Sequence, residues 1–122
     1  MLSDICLVAA GIGGMAIALV HAYLGQKLIL GRITGLSKTA WRLNAVVYQV
    51  SSLYWFSGGL ALSLAPFYFD APGRFAVSVI VALVYIWGAV ANFWATRGRH
   101  FGWILLAVVA VLAFLGRQAT GA

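Results

Sequence analysis

From Ile5 to Gln26 the chain carries no Asp, Glu, Lys or Arg, and nearly every residue up to Leu30 is apolar or small. A hydrocarbon core of about 30 Å takes about 20 residues of helix per crossing, so this run is long enough to span one. On a helix, Gly11, Gly14, Ala18, His21 and Gly25 fall on one face, because threes and fours separate them. Ala10, Gly14, Ala18 and Ala22 form an overlapping ladder of small residues. Small faces allow close helix approach inside a membrane. A histidine on such a face, His21, points at protein rather than at lipid.

The rest of the chain repeats the pattern. Of 122 residues, 64% are hydrophobic and 8% charged, against roughly 25% charged in a water-soluble domain. The expectation is an all-α integral membrane protein, one transmembrane domain over 1–122, built as a bundle of four transmembrane helices with short loops. The helices are expected at about 5–30, 43–64, 75–95 and 101–115. Pro66-Phe67-Tyr68-Phe69-Asp70-Ala71-Pro72-Gly73 reads as the second connection, since its prolines and glycine break helix. The very short turn Thr96 to His100 makes helices three and four antiparallel neighbours. Helix four is almost featureless and is expected to face lipid or a partner, with a short tail from Gly116 onward. The first residues, Met1-Leu2-Ser3-Asp4, lack the basic region of a cleavable signal, so the first helix is read as retained.

The formal charge of +6 lies at the helix boundaries, where basic residues set topology rather than bind nucleic acid. Lys27, Arg32, Lys38, Arg42, Arg97 and Arg99 flank the first and third connections. The other side has Arg74 and Arg117 with both acids, Asp4 and Asp70. The positive-inside rule places the first and third connections in the cytoplasm and both termini on the non-cytoplasmic side. Trp41, Trp94 and Trp103 then form an aromatic belt, and Lys27 can snorkel to the interface. Cys6 is the single cysteine and reads as a small apolar residue.

Polar side chains inside hydrocarbon need partners. Ala45, Gln49, Ser52, Gly59 and Ser63 share a face of helix two, with Phe56 among them. Ser78, Tyr85 and Asn92 recur at sevens on helix three, with Gly88 between the last two. At about 1.5 Å per residue, His21 lies roughly 13 Å and Gln49 roughly 9 Å from the cytoplasmic ends of their helices. Two readings stay open: one polar cluster of His21, Gln26, Tyr48, Gln49, Tyr85 and Asn92, or separate local hydrogen bonds. His21 itself is packing glue between helices, an axial ligand for a haem or a (bacterio)chlorophyll-type pigment, or a proton relay. The relay is the weakest, because no Asp or Glu lies within a helix core. His100 sits in the turn after Arg99 as a solvated or lipid-facing residue. The small residues Gly11, Gly14, Ala18, Gly25, Ser52, Gly59 and Gly88 are expected to pack helices. Phosphate-loop, zinc-protease and serine-hydrolase motifs are absent, so no catalytic residue and no metal site is assigned.

The order His21-Ala-Tyr-Leu-Gly25-Gln26, then Ser52-Leu-Tyr-Trp55, then Arg97-Gly-Arg-His100-x-x-Trp103 resembles a family of small, uncharacterised four-helix proteins of bacterial inner membranes. The resemblance spans most of the chain and implies a multi-pass location in the bacterial inner (plasma) membrane. In that pattern a Glu usually follows the glycine matched by Gly25, and a His usually stands at the position of Gln49. Any metal, haem or proton chemistry of those groups would keep only His21 in this chain, which fits a member retained for its shape. The embedded Glu of small multidrug exporters and the motifs of fluoride channels find no match.

The resulting expectation is a non-catalytic accessory or assembly subunit of a larger respiratory or photosynthetic membrane complex. Its partners would be membrane lipids and other integral membrane subunits, and it would fill a gap, bind lipid or guard a quinone or pigment path. The alternatives are a homo-oligomeric transporter or channel for small solutes, and a membrane protein holding haem, bacteriochlorophyll or carotenoid through His21.

Overall fold

The computed structural model describes residues 1–118, and residues 119–122 of the expected tail lie outside the described residues. Among the described residues the chain is all-helical, with four α-helices and no strand. Helix α1 covers Leu2–Leu24, α2 Lys38–Tyr68, α3 Ala71–Thr96 and α4 Gly102–Leu115. A π-helical turn, Gly25–Ile29, and a 3-10 turn, Leu30–Arg32, extend α1. Two segments, Leu2–Arg32 and Ala71–Thr96, are long and apolar enough to cross a membrane, and α4 is apolar but shorter.

Three boundaries differ from the sequence expectation. Helix α2 begins at Lys38 rather than Leu43, because Ser37 caps it: its Oγ accepts from the Ala40 amide at 3.2 Å. Pro66 does not end α2, which runs on to Tyr68. In the last turn a proline removes only the bond to the carbonyl four residues earlier, and the helix still closes with Phe69 N–H donating to Ala65 O. The second connection therefore shrinks to Phe69 and Asp70. Asp70 starts α3 at once, its Oδ1 accepting from Gly73 N at 2.9 Å, with Pro72 in the first turn where its missing N–H costs nothing.

Consecutive helices run antiparallel. The first and third connections sit at one end; the chain start, the α2–α3 link and the end of α4 sit at the other. Arg74 ties the latter end together: Nε donates to Gly116 O and Nη1 to Asp4 Oδ1, and the Asp4 carboxylate also pairs with the terminal ammonium. Arg74 is only 4% exposed, so the Asp4 carboxylate is what makes a guanidinium tolerable there. At the opposite end α3 closes with Arg97 and Gly98 in left-handed conformations, and Gly98 N–H donates back to Phe93 O at 2.9 Å.

Packing is closest between α1 and α2, where two backbones meet at Gly11 and Gly59. A methyl group on Gly59 would lie 2.7 Å from the Gly11 carbonyl, and one on Gly11 would run into Gly59 O and Ser63 N. Leu7, Ala10, Ala18, Leu62 and Ala65 belong to the core built around this crossing. The sequence reading sets α4 against lipid or a partner, whereas the structure packs one of its faces into the bundle. Leu106, Val109, Ala110 and Ala113 are buried, and α4 packs on α1 and α3, while Ile104, Leu105, Val108 and Val111 point outward. An all-apolar helix offers a core face and an outer face of the same chemistry, so hydropathy does not tell them apart.

Gly11 and Gly13 make a matched test. Gly11→Ala should lower bundle stability by about 1–3 kcal/mol through overpacking against backbone. Gly13→Ala, whose methyl would lie 3.6 Å from Val109, should be neutral or stabilising by up to about 1 kcal/mol through helix propensity. Reversible unfolding in mixed micelles measures both; equal effects at the two positions would contradict the close crossing.

Candidate functional site

The polar side chains converge toward the end of α1, where the regular helix gives way to the π turn. His21 lies on the α1 face that meets α2. Its ring stacks on Tyr48 (centroids 4.2 Å apart, planes 9° apart) and tilts against Trp55 at 4.6 Å. Nδ1 lies 2.8 Å from Ser52 Oγ, and Ser52 Oγ donates to the Tyr48 carbonyl at 3.0 Å. A serine hydroxyl has one hydrogen, so both bonds coexist only when Nδ1–H is the donor to Ser52. That assignment leaves Nε2 with the ring's lone pair, and Nε2 makes no hydrogen bond among the described residues. A bond from the other ring nitrogen is how proteins orient a coordinating imidazole. Among the described residues, no three His, Cys, Asp or Glu side chains come together as a metal-ligand set.

Gly25 lies under the Tyr48 ring, which any Cβ there would overlap. The wide π turn begins at this residue, with Leu30 N–H reaching back to Gln26 O and Gly25 O. Such turns are local departures that recur at functional sites. Beside it, Gln49 Nε2 donates to Gln26 Oε1 at 3.3 Å, both residues being exposed. Lys27 Nζ donates to the Tyr23 hydroxyl at 2.7 Å and sits over the Tyr23 ring.

A second group lies deeper. Tyr85 is fully buried, and its hydroxyl donates to the Trp55 carbonyl at 2.6 Å. The same hydroxyl occupies the space that a Cβ on Gly14 would need. Gly88 carries the Trp55 indole at a distance no Cβ would permit. One tyrosine of α3 thus spans the groove between α1 and α2, and one tryptophan of α2 lies against α3. Ser78 Oγ turns back to Arg74 O at 2.7 Å, the common helix-internal solution for a buried serine.

The expected single cluster therefore divides. His21, Tyr48 and Ser52 are joined to Tyr85 through Trp55, and Gln26 and Gln49 pair beside them. Asn92 is elsewhere, at the α3–α4 turn: its carbonyl accepts from Thr96 Oγ1, its amide lies near Gly102, and its buried Oδ1 has no partner among the described residues. Equal depth along two helices does not bring side chains together when they point into different seams. The buried seam of α2 also lies about one position from the expected face. It runs Ser52, Trp55, Gly59, Leu62 and Ala65, which leaves Gln49 exposed and Ala45 and Ser63 half-buried. Trp55, the hub of the site, enters the sequence reading only within the Ser52-Leu-Tyr-Trp55 motif and not as a site residue. Its i+3 spacing from Ser52 and i−4 spacing from Gly59 is the available signal. His100 is exposed, stacks on Phe101, and accepts from Gly102 N through Nδ1 at 3.1 Å.

The chain of bonds from His21 through Ser52 predicts strong coupling. His21→Phe and Ser52→Ala should each cost about 1 kcal/mol, and the double variant should cost little more than either alone. Additive losses in an unfolding double-mutant cycle would show that the bond contributes nothing. No family model, curated protein or solved structure matches this chain.

Proposed function

We propose that the protein is a non-catalytic subunit embedded in a membrane, where it packs against a larger integral membrane assembly through the outward face of α2. In this reading all four helices cross the bilayer, both termini lie on the non-cytoplasmic side, and the membrane is a bacterial inner membrane. Helix α4, at about 21 Å of regular helix, reaches across with its flanking turns and some local thinning. The surface is apolar around most of the bundle: Ile12, Leu19, Val47, Leu83, Trp87 and Val111 are all well exposed. In water such a surface would be unsustainable as a monomer.

One observation carries the assembly reading. Helix α2 is the longest helix, yet it is not among the segments apolar enough to span by composition. At its midpoint Tyr54 is 67% exposed, and Ser57 is exposed one turn later. Neither hydroxyl has a hydrogen-bond partner among the described residues. Ser51 and Ser52, earlier on the same helix, both donate to the Tyr48 carbonyl. A hydroxyl facing hydrocarbon without a partner is costly, so the outward face of α2 is better matched to protein than to lipid. The polar side chains of the site fit the same reading, because His21, Ser52, Tyr85, Gln26 and Gln49 bond within the chain. Their work is to hold this face in place.

A photo-reactive residue at position 54 or 57, activated in native membranes, should yield a discrete adduct with another membrane protein. The same residue at Leu83 or Trp87, exposed on α3, should yield lipid adducts. Lipid adducts alone from all four positions would overturn the assembly reading.

A further inference from the structure

At the end that carries the first and third connections, Lys27, Arg32, Lys38, Arg42, Arg97 and Arg99 gather with no acidic side chain to answer them. The chain's two acids are at the other end, Asp4 against Arg74 and the chain start, and Asp70 on the α3 cap. None of the six makes a salt bridge among the described residues. One of them, Arg97, lines a groove of about 490 Å³ with Phe93, Trp94 and Ala95.

The groove is formed by the last turn of α3 and the turn that closes it. Arg97 is a non-glycine residue at φ 52°, a conformation that costs about 1 kcal/mol or more for a side chain of this kind. The hydrogen bond from Gly98 N–H to Phe93 O fixes that turn. The Phe93 ring is held edge-on against Trp103 at 5.2 Å, and Gly98 fits beneath it. Trp94, by contrast, is 81% exposed and touches no other ring among the described residues. One wall is therefore an aromatic held against α4, the other an exposed one, and Arg97 lines the same groove one helical turn further on.

We propose that this groove binds one anionic phospholipid, with its phosphodiester on the Arg97 guanidinium and the upper part of its acyl chains along Phe93 and Trp94. A planar guanidinium takes two phosphate oxygens at once, and the surrounding cations raise the local concentration of anionic headgroups. A free phosphate would leave both aromatic walls uncovered, and an acidic peptide would bring polar backbone against them. A phospholipid matches head and walls together. The inference rests on the membrane-spanning reading and is independent of the partner proposed for α2.

The test uses the purified full-length protein in neutral detergent, with lipid retention read by native mass spectrometry. Phosphatidylglycerol should be retained about fivefold or more over phosphatidylcholine of the same chains. Arg97→Asn, in which asparagine keeps the left-handed turn, should remove that preference. Lys38→Gln, at the same end but outside the groove, should leave it. Equal retention of the two lipids by the unaltered protein would overturn the proposal without any variant. So would a loss in Lys38→Gln as large as in Arg97→Asn, which would mean diffuse charge, or displacement of phosphatidylglycerol by millimolar inorganic phosphate, which would mean a simple anion site. Because the readout is lipid bound to the isolated protein, failure of this test would leave the α2 interface standing, and failure of the α2 interface would leave this result standing.

Discussion

The structure depends on one backbone-to-backbone approach, that of α1 and α2 at Gly11 and Gly59. Neither residue carries a Cβ, and the Gly11 carbonyl comes within 2.7 Å of where one on Gly59 would stand. In the proposed membrane-spanning reading no hydrophobic force drives two helices together in hydrocarbon, and the gain comes from dispersion contacts that only small residues permit. Once the axes are this close, the rest of the interface is determined. Tyr85 can reach over Gly14 to the Trp55 carbonyl, Trp55 can lie on Gly88, and Tyr48 can cover Gly25. Each contact pairs one missing side chain with one large ring. The polar groups follow from those rings: His21 is held by the Tyr48 stack and by Ser52, one helical turn beyond Tyr48.

Much of this is readable in the sequence, and the features that are not share a physical reason. The number and order of the helices follow from apolar runs separated by Gly, Pro and basic clusters. The spacing of Gly11, Gly14 and Gly25 puts them on one face whatever that face meets, and the structure sets a neighbouring atom over each. Spacing along one helix says nothing, however, about which ring of another helix will fill the gap. The place of Trp55 at the hub and the π turn at Gly25 are therefore hidden, since both depend on the register of α2 against its neighbours. Asn92 escapes for the same reason, because a sequence gives depth along a helix and not the azimuth of its neighbours. Pro66 misleads because its position within the last turn, rather than its identity, decides whether a helix ends. Ser37 is a legible cap that the basic residues around it obscure.

The outer surface of the molecule consists of two ends and a flank. One end is closed by Arg74, which joins α3 to the start of α1 and the end of α4. The other end is basic and aromatic, with Trp41 tied to the Leu30 carbonyl at 3.1 Å and Phe93 locked on Trp103. Between them most of the flank is greasy, apart from the outward stripe of α2 with Tyr54 and Ser57. Under the proposed function, the greasy flank meets lipid tails, the basic end meets lipid headgroups, and the α2 stripe meets a protein. In the same reading the internal polar network holds the stripe in place, a structural task.

Membership of a larger membrane assembly is tested most directly by the protein's size in its native membrane. Gentle extraction, followed by a native gel with mass spectrometry of each band, should find the protein in a complex much larger than itself, with the same neighbours in each preparation. Migration alone, or as a small homo-oligomer, would contradict the proposed role, and the second result would make the α2 stripe a contact between copies of this chain.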